Sequence, residues 1–143
     1  MQKFYAFLRF VWVPALCALI VLVLLNSIFI IGFIPSASME PTINAGSYIF
    51  GLRFNREYER GDVVIFRMGQ MILVKRIAAV SGDTVCNDFV LSDKESIDVN
   101  DFVVVPEECF FLLGDNADES FDSRFWAEPW IGKKDIVGYV PLL

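Results

Sequence analysis

The 143-residue chain contains no histidine. That absence excludes a Ser-His-Asp triad, a Cys-His pair and a histidine-ligated zinc. If the chain holds a hydrolytic serine, its base must be another group, and a lysine of lowered pKa is the usual remaining choice. Cysteine is scarce, at three residues. Without a histidine beside them, Cys17, Cys86 and Cys109 have no evident chemistry, and neither a metal nor another cofactor is expected. Basic charge is thin as well. Beyond residue 34 the chain carries ten Lys and Arg against eighteen Asp and Glu, a net of −8. It therefore lacks the basic clustering of a nucleic-acid surface, and an ordinary acidic, soluble face is the plain reading. Internal repeats and low-complexity linkers are missing too, and nothing after residue 34 reads as a strong helix.

What is present begins with apolar mass. From Phe10 to Ile34 the sequence is almost wholly apolar, interrupted by Pro14, Asn26, Ser27 and Gly32. About 20 helical residues cross a bilayer core, so this run predicts one transmembrane anchor over 10–34. It follows a short cytoplasmic segment, 1–9, and precedes an extracytoplasmic β domain, 35–143. Lys3 and Arg9 come before the run and the next basic residue is Arg53. The positive-inside rule then predicts a single pass through the cytoplasmic (inner) membrane with the N-terminus inside. A cleaved signal peptide competes with this reading, but signal cores are shorter, about 7–15 residues. Cys17 sits inside the run as an apolar packing residue.

After the anchor the pattern is short strands joined by turns. Strands are expected at Tyr48–Leu52, Val63–Phe66, Met71–Val80, Thr84–Cys86, Phe89–Leu91, Phe102–Val105, Cys109–Leu113 and Ile136–Val140. Arg60-Gly61-Asp62 and Ser81-Gly82-Asp83 are turn signals between them, and Asn87 to Asn100 is the expected flexible loop. The fold class is mainly β, a compact antiparallel sheet domain behind one N-terminal transmembrane helix. At the period of two that strands impose, Met71, Leu73, Lys75, Ile77 and Ala79 share a face. Lys75 is the one polar member. Burial there disfavours the ammonium and lowers its pKa, so the amine can act as a base. The plainer alternative is a lysine that snorkels to water or pairs with an acid. Arg76, on the opposite face, reads as structural.

The segment Ile34-Pro35-Ser36-Ala37-Ser38-Met39-Glu40-Pro41-Thr42, just past the apolar run, supplies a candidate nucleophile in Ser38. Together with Arg60-Gly61-Asp62-Val63-Val64, with Val74-Lys75-Arg76 followed by Gly82-Asp83, and with Gly114-Asp115-Asn116-Ala117-Asp118-Glu119-Ser120-Phe121-Asp122-Ser123-Arg124, it resembles the type I signal peptidases (leader peptidases), membrane-bound Ser/Lys serine endopeptidases. The four blocks occur in the family's order and the resemblance covers the whole chain. It implies that Ser38 is the nucleophile and Lys75 the general base. It further implies an oxyanion hole from the Ser38 N–H and the Ser36 hydroxyl, and Ser120 as the group that orients the lysine. Asp122 and Arg124 would form a structural ion pair, Asp115 and Asn116 the turn that presents Ser120, and Ile34 and Pro35 a substrate wall. Ala79, Ser81 and Ala117 depart from the family's usual residues without removing a catalytic group, and Glu40 stands where members vary.

The implied activity is removal of N-terminal signal peptides from translocated precursor proteins, with those precursors and the lipid bilayer as partners and no nucleic acid or metal. The substrate range is either general secretory or dedicated to one pilin-like or conjugation-system precursor. Two other classes compete: a catalytically silent, membrane-anchored β domain that binds partners in an assembly, and a regulator related to self-cleaving Ser/Lys repressors. The latter carry a DNA-binding helix-turn-helix where this chain has an apolar anchor. Phe125, Trp126 and Trp130 are read either as an interfacial aromatic patch or as plain core. Cys86 and Cys109, both on the oxidising side, are read as a disulfide or as two buried thiols.

Overall fold

The computed structural model describes residues 2–54, 56–86 and 102–141. Helix α1, Gln2–Ile28, opens the chain. Its portion Phe10–Ile28 is long and apolar enough to cross a membrane, and among the described residues none buries it before its last residue, Ile28. The apolar run expected as one anchor holds two elements. Helix gives way at Ile28, and Phe29–Phe33 forms strand β1. Uniform hydrophobicity cannot separate a helix from a buried strand. What decides here is pairing, since β1 lies antiparallel on β2 (Tyr48–Leu52) in the register Phe29↔Leu52 to Phe33↔Tyr48.

The other strands are β3 Val63–Met68, β4 Met71–Val80, β5 Thr84–Cys86, β6 Phe102–Val104, β7 Cys109–Leu113, β8 Trp130–Gly132 and β9 Ile136–Val140. Among the described residues they form a seven-stranded antiparallel sheet, β1-β2-β9-β3-β4-β7-β8, and a small β5-β6 ribbon. The mainly-β expectation holds. Strands β1 and β8 are additions to it, while the expected Phe89–Leu91 strand and the Asn87 to Asn100 loop lie outside the described residues.

Strand β3 explains why the sheet has a core on both faces. Val63, Val64, Ile65 and Phe66 are all buried. Because alternate side chains point to opposite faces, Val64 and Phe66 join Ile77, Leu112 and Trp126 on one side. Val63 and Ile65 join Met39, Ile43 and Ile49 on the other. Trp126 is therefore core, its ring 5.8 Å from that of Phe66. Trp130 packs 5.9 Å from Phe111, and of the expected aromatic patch only Phe125 is exposed. A different apolar face reaches the surface. On the β1-β2 hairpin Phe29, Ile31, Phe33, Tyr48 and Phe50 all point outward.

The two Gly-Asp turns fall where expected. Gly61 and Gly82 adopt φ of 93° and 85°, a left-handed conformation open chiefly to glycine. Arg60 of one turn pairs with Asp83 of the other, tying the two ends of the β3-β4 region together. Cys86 and Cys109 are free thiols. Cys86 is paired with Phe102 in the ribbon and Cys109 with Gly132 in the main sheet. The two cysteines thus belong to separate sheets, and the bridge read from their count is not formed.

Candidate active site

After β1 the chain turns through residues 34–47. Mutual backbone bonds close this loop, from Ile34 N to Ser47 O (3.0 Å) and from Gly46 N to Ile34 O (2.7 Å). Met39 and Ile43 pin it to the sheet by burying in the core. Ser38 comes immediately before Met39 and is itself buried. A cleft of about 650 Å³ opens beside it, and Ile34, Pro35, Ser36, Ser38 and Lys75 all line that cleft. Most of the walls come from β1 with the loop after it and from the first half of β4, with Ile49 of β2, Ile65 and Met68 of β3, and Glu119 and Phe121 from the segment after β7.

Lys75 stands opposite Val64 in the β3-β4 ladder and is 4% exposed. Burial pushes its amine below the ordinary lysine value of 10.5. Asp122 pulls it back up, Arg124 reinforces the lowering, and Asp115 pulls up again. Lys75 Nζ donates to Ser120 Oγ at 2.9 Å, and Ser120 Oγ donates to Asp122 Oδ2 at 2.5 Å. A serine hydroxyl has one proton. With that proton committed to Asp122, Ser120 can only accept from the lysine. Lys75 makes no hydrogen bond to Ser38 among the described residues; instead the Ser36 and Ser38 hydroxyls lie 3.3 Å apart.

Asp122 is fully buried and fully partnered. Arg124 grips it through Nε on Oδ1 (2.8 Å) and Nη2 on Oδ2 (2.9 Å), and the Gly114 N–H donates at 2.9 Å. Burial alone would raise this carboxyl's pKa. The Arg124 guanidinium, the Gly114 N–H and the Ser120 hydroxyl outweigh that and hold it below the usual range. The expected Asp122–Arg124 pair is present. Asp115 takes a bidentate bond from Arg76 (2.8 and 2.7 Å), which lowers its pKa. Arg76 also donates to the Gly61 carbonyl at 2.7 Å.

Sequence reasoning missed what Asn116 touches. Its side-chain Nδ2 donates to Ala37 O (3.2 Å) and its backbone N–H to Ser38 O (3.1 Å). The turn beyond β7 thus holds the serine loop as well as carrying Ser120. Gly114 shows how tight this junction is, because a Cβ there would stand 2.2 Å from Ser120 Oγ and 2.5 Å from Ser38 O. A bond spanning 79 residues leaves no local signal.

A sequence profile of the family described as signal peptidase, peptidase S26, matches residues 8–104 and 87–143. Among curated proteins the chain is 34% identical over 131 residues to a probable thylakoidal processing peptidase 2, chloroplastic, of Arabidopsis thaliana, covering 73% of this chain but 35% of that protein. It is 30% identical over 141 residues to signal peptidase I S of Bacillus subtilis (strain 168), covering 79% of this chain and 77% of that one. Signal peptidase I of Bacillus licheniformis is 33% identical over 144 residues, with 80% and 77% covered.

Proposed function

The chain belongs to the S26 signal peptidases, a family of serine endopeptidases, and from that membership we propose that it removes N-terminal signal peptides from translocated precursors with Ser38 as nucleophile and Lys75 as base. The observation that carries this reading is a buried lysine lining the same cleft as a loop serine. Ser38 Oγ attacks the scissile carbonyl and its proton passes to the neutral Lys75 amine. The tetrahedral intermediate collapses as that proton moves to the leaving amine. Water then attacks the acyl-enzyme by the same route and frees the signal fragment. Ser120 acts on the lysine by direction. It takes one N–H of Lys75 and so leaves the amine lone pair to face Ser38. An extended substrate lies along the β1 and β4 walls by strand addition, with Ile34 and Pro35 against its small side chains.

The anchor is α1, crossing with its N-terminus in the cytoplasm and residues 35–143 outside, as Lys3 and Arg9 dictate. The outward row Phe29, Ile31, Phe33, Tyr48 and Phe50 supports a β1-β2 face that rests on the bilayer.

Purified full-length chain in detergent should cleave a signal-bearing precursor, and the rate should rise with pH. Only the neutral lysine accepts the proton, so activity tracks its deprotonation, and the midpoint should fall well below 10.5, the ordinary lysine value. An uncut precursor, or a midpoint at the ordinary value, would count against the dyad.

The oxyanion hole carries a second expectation. Ala37 C=O and Ser38 N–H belong to one planar peptide and point in opposite directions. Ala37 O accepts from the Glu40 N–H (3.0 Å) and from Asn116 Nδ2, and holding it with both aims the Ser38 N–H, which makes no hydrogen bond among the described residues. Asn116 is thus a positioning residue. Asn116→Asp keeps its shape and loses the donor. It should lower kcat by about ten- to a hundredfold, part of what a lost oxyanion donor costs, with KM little changed. An equal fall in thermal stability with intact kcat would make the role merely structural.

A further inference from the structure

A second cavity, of about 480 Å³, is lined in part by Arg53, Phe54, Tyr58, Glu108, Lys133 and Lys134. Its place in the fold is set by the Arg53 N–H, which donates to the carbonyl of Ile28, the last residue of α1, at 2.8 Å. Lys133 and Lys134 arrive from the 3-10 turn Lys133–Asp135 before β9. The cavity thus opens where the apolar helix meets the sheet, at the end of the outward apolar row on β1-β2.

Its charge runs against the rest of the domain. Three cations face one carboxylate, Glu108, in a portion of net charge −8. Arg56, Arg60, Arg76 and Arg124 are each engaged by an aspartate. Lys133 shares its charge with Glu57, whose side chain is 91% exposed. Arg53 and Lys134 make no ion pair among the described residues. An arginine fork and two ammonium groups suit a phosphate, and the half-exposed Phe54 ring supplies an apolar edge beside it.

We propose that this cavity binds the headgroup phosphate of an anionic phospholipid at the bilayer surface from which α1 emerges. The proposal rests on the membrane-spanning reading of α1. A lipid is favoured over a soluble phosphate because the cavity adjoins both the helix end and the apolar row. Cations beside a bilayer are drawn to anionic leaflets in the same way. Glu108 opposes the ligand and keeps the binding reversible.

The test is native mass spectrometry of the full chain in detergent, titrated with phosphatidylglycerol, with phosphatidylcholine of the same acyl chains, or with inorganic phosphate alone. Phosphatidylglycerol should be retained in preference to phosphatidylcholine. The double variant R53Q/K134Q should lower that retention by about thirtyfold, the order expected for two cations, and Glu108→Gln should raise it. Equal retention of the two lipids, undiminished retention by R53Q/K134Q, or binding of inorganic phosphate that lipid does not displace would overturn the proposal. Precursor cleavage in detergent should be unchanged in R53Q/K134Q, which reports folding and keeps the catalytic reading separate. Protease protection of residues 35–143 in sealed vesicles reads the anchor separately.

Discussion

Ser38→Ala should leave precursor uncut, with turnover lowered by about 10⁴-fold or more, the scale seen when a catalytic nucleophile is removed. Lys75→Met should do the same for a different reason. The thioether fills the lysine's space but has no lone pair basic enough to take the serine proton. In the proposed dyad Ser38 and Lys75 act as one unit, so the double variant should be no worse than either single one. Stability separates the two substitutions from simple damage. Among the described residues the Ser38 hydroxyl makes only the 3.3 Å contact with Ser36, and its loss should hardly move the thermal midpoint. Lys75 is a buried amine whose desolvation opposes folding, and replacing it with an apolar side chain should be neutral or stabilising. Precursor cleavage read by gel mobility, beside thermal unfolding of the same samples, checks both. A Lys75→Met protein that still cleaved would remove the lysine from the mechanism.

Asp122→Ala should be the most damaging change to the fold. It strips the partner from a guanidinium whose side chain is 14% exposed and leaves the Gly114 N–H and the Ser120 hydroxyl without their acceptor. Breaking a buried pair by removing one member costs about 3–5 kcal/mol, which for a domain of this size corresponds to about 10–20 °C in Tm. Activity should fall with it, since Ser120 then has a proton free to turn toward Lys75 and compete for the lone pair. Asp122→Asn gives the pH signature. The folded-state pKa of Asp122 lies below its ordinary value of 3.8. Its contribution is therefore complete above that value and is lost as the pH falls through the folded pKa. The asparagine variant should lack that part of the acid dependence, which thermal unfolding across pH 2–5 would reveal. An Asp122→Ala protein as stable as the parent would mean that Arg124 is satisfied elsewhere.

Much of this site is legible in the amino-acid sequence. In Met71–Val80 a strand's period of two is enough to put Lys75 with Leu73 and Ile77 on a buried face, whereas the bulge between Ile77 and Ala79, which moves Ala79 into a different cluster, leaves no such signal. The absence of histidine then makes that lysine the leading candidate for a base. The anchor boundary is not legible, because Phe29–Phe33 is as apolar as the helix that leads into it and only its pairing with Tyr48–Leu52 makes it a strand. Strand β8 is three residues long, too short for alternation to register. The hold of Asn116 on Ala37 joins two turns distant in sequence, a relation that composition and periodicity cannot express. The cysteines leave both readings open for a similar reason: a count gives parity, while pairing depends on which sheet each thiol occupies.

The junction at Ile28 and Phe29 has one more consequence. Helix passes into strand with no residue between them, and that strand becomes a wall of the cleft and then leads into Ser38. There is no slack tether to extend or draw in. If α1 spans the bilayer, one strand of five residues, about 17 Å when extended, and residues 34–37 after it are the whole of the arm that carries Ser38. The chain then works as a gauge as well as a blade: it reaches bonds held at one fixed distance from the lipid, and position along the substrate becomes a criterion beside the identity of its side chains.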